Sequence, residues 1–208
     1  MESQSQDVKA VIEQLRSQDI DVVRVSYSDM IGIDRGRDVL LSELPAALGH
    51  GLPFSRCVYH TTPMGDTIPI QGGIEAGLPD IHVKPDLSTL SPLPWEPGAM
   101  SCLGDTFLAD GTPAPESPRT VVSRVAEHLA QLKLQAVIGP ELEYFVCEPD
   151  GAAAAGFRRY ANSPGNVYVV GRKGDPSGLL LRTLRYLRAA GSSDTSTSRP
   201  RSMPIMSE

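Results

Sequence analysis

Glu141 and Glu143 stand two residues apart in the run Val137-Ile138-Gly139-Pro140-Glu141-Leu142-Glu143-Tyr144-Phe145-Val146. The run is rich in Val, Ile, Tyr and Phe and reads as a buried strand. Side chains alternate faces along a strand, so the two carboxylates would share one face, roughly 6–7 Å apart. Side by side in a core they would repel by about 2–3 kcal/mol at an effective dielectric near 20. Protonation of one acid, a bound cation, or a wet face would each relieve that repulsion. Hard oxygen donors at this spacing suit Mg²⁺ or Mn²⁺. The plainer reading, a half-exposed strand with two solvated glutamates, stays open on pattern alone. Gly139-Pro140 bends or ends strand pairing just before the acids, as a built site would require.

The rest of the chain must position this pair. Val8, Val11, Ile12 and Leu15 recur at helical spacing and predict an amphipathic first helix, within an N-terminal segment 1–18. Ile20 to Ser28 reads as a strand with Val23, Val25 and Tyr27 on one face and Arg24, Ser26 and Ser28 on the other. Asp29 to Gly36 carries turn chemistry, and Arg37 to Leu41 reads as the returning strand of a hairpin. A short helix is expected from Ser42 to near Gly49, and a strand from Met100 to Phe107. Residues 52–98 are dense in Pro and Gly and predict long ordered loops with brief strands, of the kind that serve a site or an interface. Asp110 to Glu116 has the composition of a linker. Ser117-Pro118 then opens a helix, with a hydroxyl to cap it and proline in its first turn. Val121, Val122, Val125, Leu129 and Leu132 form its apolar stripe.

Beyond the paired acids, Gly151 to Gly156 is an alanine-rich loop and Asn166 to Val170 a short strand. Asp175-Pro176 opens a helix with Leu180, Leu184 and Leu187 inward, Arg182, Arg185 and Arg188 outward, and Gly191 at its end. Residues 192–208 lack apolar periodicity and read as a disordered tail, abrupt enough to look like coding sequence knocked out of frame.

Bulk properties exclude several functions. The 208 residues carry a formal net charge of −6 and 5% aromatics, with no Lys/Arg run, so neither a basic nucleic-acid face nor a stacking platform is expected. No apolar run reaches membrane-spanning length, and the polar, acidic start is unlike a signal peptide. Cys57, Cys102 and Cys147 are odd in number and widely spaced, which argues against a disulfide framework and for a cytoplasmic protein. His60 and His82 read as hydrogen-bonded loop histidines, and His128 as a surface residue. Arg158, Arg159, Arg172 and Lys173 read as solvated charges, while Tyr160 and Tyr168 are open between cleft and packing roles.

Four stretches together resemble the glutamine synthetase family. Gly139-Pro140-Glu141-Leu142-Glu143-Tyr144-Phe145 is similar to its Gly-Pro-Glu-x-Glu-(Phe/Tyr)-Phe strand. Asp29 to Gly36 resembles its early hairpin, Asp80 to Thr89 its Asp-x-x-x-x-Pro-Asp-x-Ser-Thr segment, and Asp110 to Arg119 the start of its first catalytic helix. The likeness spans roughly residues 15–190. It implies an α+β fold: a small β-grasp domain over 19–109, then over 110–191 the truncated beginning of a catalytic domain built on an antiparallel sheet with helices.

The resemblance further implies an ATP-dependent ligase that joins the γ-carboxyl of glutamate to ammonia or a small amine or polyamine through a γ-glutamyl phosphate. Glu141 would bind the Mg²⁺ or Mn²⁺ that orients the nucleotide, and Glu143 the ion on the substrate side. Glutamate, ATP and the amine would be its partners, in a homo-oligomeric ring, without nucleic acid or membrane. The chain departs from the family pattern in two ways. It holds no counterpart of the later His-Glu…Gln-x-Glu ligands or phosphate-binding arginines, so it is expected to be inactive alone. Its segment Phe54-Ser55-Arg56-Cys57-Val58 corresponds to a family loop whose Asp handles ammonium; Ser55 and Arg56 there point to the γ-glutamylpolyamine or γ-glutamylamine branch. A non-catalytic module that associates with full-length ring-forming relatives is the alternative.

Overall fold

The structure is a computed structural model that describes residues 2–69, 73–139, 145–160 and 169–191. The Glu141/Glu143 centre of the expected metal strand, most of the Asn166–Val170 strand, and the tail after Gly191 lie outside the described residues. The chain divides into two compact units, Met1–Ala136 and Val137–Glu208.

The first unit is a mixed α/β structure. Helix α1 (Glu2–Ser17) turns Ile12 and Leu15 into the core, with Val8 and Val11 half-buried beside them, as the spacing predicts. Strand β1 (Val22–Ser28) buries Val23, Val25 and Tyr27 almost completely; Ser26, expected on the wet face, is buried as well. It pairs antiparallel with β2 (Asp34–Leu40), in a register from Val22↔Leu40 to Ser28↔Asp34. The hairpin closes tightly because residue 36 is glycine. A Cβ there would lie 2.2 Å from the Val25 carbonyl oxygen.

Helix α2 (Leu44–His50) follows, with Leu44 fully buried. Strands β3 (Leu52–Ser55), β4 (Asp80–Pro85) and β5 (Ser91–Pro92) are the brief strands expected among the loops. Strand β6 (Ala99–Phe107) completes the sheet. It runs parallel to β1, from Val22↔Ala99 to Ser26↔Leu103, and antiparallel to β4 and β5. The order is β2-β1-β6-β4-β3, with β5 off this path on β6. The first and last strands of the unit are thus central neighbours, and α1, α2, β1 and β4 supply most of the core beneath them.

Helix α3 (Pro118–Gln131) closes the described part of this unit, and three expectations change there. The 110–116 segment is packed: Ala114 is fully buried, its N–H donates to the Thr106 carbonyl, and Pro113 bridges to Phe107. Turn-forming residues serve packed and free connections alike, so composition did not separate the two. Ser117 does precede the helix, but its side chain makes no cap bond, and Pro118 takes the first turn. The Val121/Val122/Val125/Leu132 stripe is half to two-thirds exposed. Periodicity reports a face that would gain from burial and is silent on whether a neighbour covers it.

In the second unit, β7 (Cys147–Pro149) and β8 (Phe157–Arg159) form a small hairpin around the alanine-rich loop. The strand expected over 137–146 is absent at its described ends. Residues 137–139 and 145–146 are irregular, and Val137 and Ile138 are 96% and 82% exposed. An apolar run becomes a strand only when a neighbouring backbone pairs with it. Helix α4 (Leu179–Ala189) forms as expected, and Gly191 follows it at φ +87°, the left-handed turn that glycine permits. Its arginines face out, but Leu184 and Leu187 are also exposed rather than inward.

Fully burying a Val, Leu or Ile contributes about 1.5–3 kcal/mol. Ile81, on β4 opposite Phe54, has no exposed surface. Ile81→Ala is expected to cost about 2–5 kcal/mol in urea denaturation, while Leu184→Ala on the exposed face of α4 should stay within about 0.5 kcal/mol.

Candidate functional site

The sequence places its chemistry on Glu141 and Glu143, which lie outside the described residues; only their flanks are seen. Downstream, Phe145 is exposed with the Arg159 guanidinium 5.2 Å from its ring centre, and strand pairing begins at Cys147. Among the described residues no group of three or more His, Cys, Asp or Glu side chains is placed to hold a metal ion. The other sequence-singled segments are described, and each is organised around one buried or half-buried acid.

The Asp29 turn is the most tightly built. Its carboxylate has no exposed side-chain surface. It accepts the N–H groups of Ile31 (3.0 Å) and Ile33 (2.8 Å) on one oxygen and the Arg35 guanidinium (3.0 Å) on the other. Burial pushes this carboxyl up, and the Ile33 N–H, Arg35 and the Ile31 N–H together pull it below the usual range. The result is a rigid hairpin tip that holds Met30, Ile31 and Ile33 out into solvent.

A second cluster joins the loop singled out as ammonium-handling to the start of α3. Arg56 opens a 3-10 turn (Arg56–His60), with Ser55 as its cap residue. Its guanidinium donates through Nε (3.1 Å) and Nη2 to one oxygen of Glu116. His60 is buried, and its Nε2 lies 3.6 Å from the same oxygen, outside hydrogen-bond range. The second Glu116 oxygen has no hydrogen-bond partner among the described residues. Burial raises the Glu116 carboxyl, but Arg56, then its own backbone N–H and last His60, bring it below the usual carboxylate range. Between these groups the buried Tyr59 hydroxyl donates to Thr106 Oγ1 (3.1 Å).

Sequence reasoning left Glu116 inside a linker and so missed it. The only available signal was its place one residue before the Ser117-Pro118 helix start. The finding also changes the meaning of Arg56. Its charge is taken up by Glu116, so the loop is less cationic than its sequence implies.

The Asp80–Thr89 segment supplies a third joint. Asp86 caps the turn after β4 through Ser88 N–H (3.1 Å) and Ser88 Oγ (2.6 Å), and its other oxygen accepts Arg119 Nη2. Arg119 Nε donates to Asp105 on β6 (2.6 Å). One arginine in the first turn of α3 therefore ties that helix to two points of the sheet. His82, expected in a loop, sits instead on β4 opposite Pro53.

In the second unit Tyr160 has a defined role. Its hydroxyl donates to Asp175 (2.9 Å) and accepts the Ser177 N–H (2.7 Å). Asp175 also accepts the N–H groups of Leu179, Leu180 and Leu181, which makes it the effective cap of α4, as its position before Pro176 implied. All three cysteines are free, and burial pushes the Cys102 thiol up to about 11.

No family model matches the chain. It is 29% identical over 143 residues to a glutamine synthetase of Methanosarcina mazei, a match that covers 67% of this chain and 30% of that protein. It is 26% identical over 199 residues to a glutamate–isopropylamine ligase of a Pseudomonas species, covering 91% of this chain and 43% of that protein. A solved structure of GmaS, apo and without ligand, superposes with a TM-score of 0.64 at 19% identity, over 86% of this chain and 39% of that one. The last likeness shows a shared fold. The chain spans less than half the length of each of these proteins.

The Asp29 network makes a measurable demand. Its carboxyl lies below the unfolded value of about 3.9, so its contribution is complete above that pH and is lost as pH falls through the lower folded value. Asp29→Asn, which leaves Arg35 without its counter-charge, is expected to cost about 2–3 kcal/mol at pH 7 by chemical denaturation. The difference between variant and parent should shrink as the pH is taken below about 4. An unchanged difference at acid pH would show that the carboxylate charge is not what holds the turn.

Proposed function

Because the chain is a relative of the glutamine synthetase family, we propose that it is the N-terminal portion of an ATP-dependent ligase that joins the γ-carboxyl of glutamate to ammonia or a small amine. One observation carries the reading. The likeness to the glutamate–isopropylamine ligase covers 91% of this chain, more than the first unit can supply, so it runs on into the part that holds Glu141 and Glu143. The sheet order, with its first and last strands parallel at the centre, supports the β-grasp reading of 19–109. The division at residue 110, an oligomeric ring and a cytoplasmic setting are proposed with it. No helix among the described residues is long and apolar enough to cross a membrane.

In this reading a glutamate γ-carboxylate oxygen attacks the γ-phosphorus of ATP, and ADP leaves. The amine nitrogen then attacks the acyl carbon of γ-glutamyl phosphate; phosphate departs and the nitrogen gives up a proton. The reacting groups are anions, so the first step needs their repulsion offset. Glu141 and Glu143 offer the hard oxygen donors that suit Mg²⁺ or Mn²⁺, and the ions held there would supply that offset. Glu141 takes the nucleotide side and Glu143 the glutamate side. Two carboxylates supply only part of such a site, so the 208-residue chain is inactive alone.

The acceptor follows from the Arg56 turn. With its charge drawn onto Glu116, the loop does not repel an amine as an unpaired arginine would, and the smaller, uncharged Ser55 stands where the resembling family has an Asp. We therefore assign the chain to the amine-accepting branch.

Two measurements test this. Mn²⁺ titration followed by electron spin resonance should show weak binding that falls at least about tenfold in Glu141→Gln/Glu143→Gln. Equal binding by parent and variant would remove the metal assignment. Phosphate release from ATP by the purified chain, with glutamate and methylamine or isopropylamine present, is expected at background. Amine-dependent release would overturn the claim that the chain is inactive alone.

A further inference from the structure

We draw no further inference here: the strongest candidate, the shallow groove lined by Arg56, Asp80, Leu108 and Asp110 where the start of β4 meets the turn after β6, rests on two exposed aspartates, and nothing in the structure shows what occupies it.

Discussion

The parallel pairing of β1 with β6 is the constraint from which the first unit follows. It joins residues 22–26 to residues 99–103, more than seventy positions later, so everything between must leave the sheet and return to it. The hairpin partner β2 closes one flank of that pair, and β4 with β3 closes the other. Val23 and Val25, within this pairing, have no exposed surface, and Tyr27 just past its end is almost fully buried in the same core. A parallel neighbour cannot be reached by a tight turn, which is why the 52–98 region is long and carries 3-10 turns and short strands instead of one simple loop.

Acids at the ends of these strands fix the connections. Asp29 satisfies two backbone donors and a guanidinium from a position with no water, so its charge is matched in place. Glu116 does the same between the Arg56 turn and the start of α3, and Asp86 with Asp105 does so through Arg119. The Asp29 joint is local to its hairpin, while Arg56–Glu116 and Arg119–Asp86 link segments sixty and thirty-three positions apart. The conformation of the 54–60 loop therefore depends on Glu116 as much as on its own residues. His60 Nε2 and the second Glu116 oxygen are both buried and without a hydrogen-bond partner among the described residues.

The second unit has the opposite character. Its hairpin and its capped helix are locally well specified, yet Phe145, Phe157, Leu181, Leu184 and Leu187 are all exposed. Local rules are enough to cap α4 through Asp175 and to end it at Gly191; they are not enough to bury its leucines. An amphipathic helix gains most of its stability from what it packs against, and local rules do not supply that for α4.

Periodicity and turn chemistry by themselves determined α1, the β1–β2 hairpin, α2, β6, α3 and α4, each within a few residues of its place. Those elements are set by contacts between near neighbours, and their signals are written in consecutive side chains. The family likeness was legible for the same reason, since its motifs are short and contiguous. Only the tertiary structure decided that β1 and β6 are parallel neighbours, that the 110–116 segment is packed, that Tyr59 bonds Thr106, and that Arg56 is answered by Glu116. Each of those depends on residues more than forty positions apart, or on whether a surface exists to pack against. A one-dimensional pattern shows what a side chain would gain from burial or from a counter-charge, and the fold alone chooses which partner comes within reach.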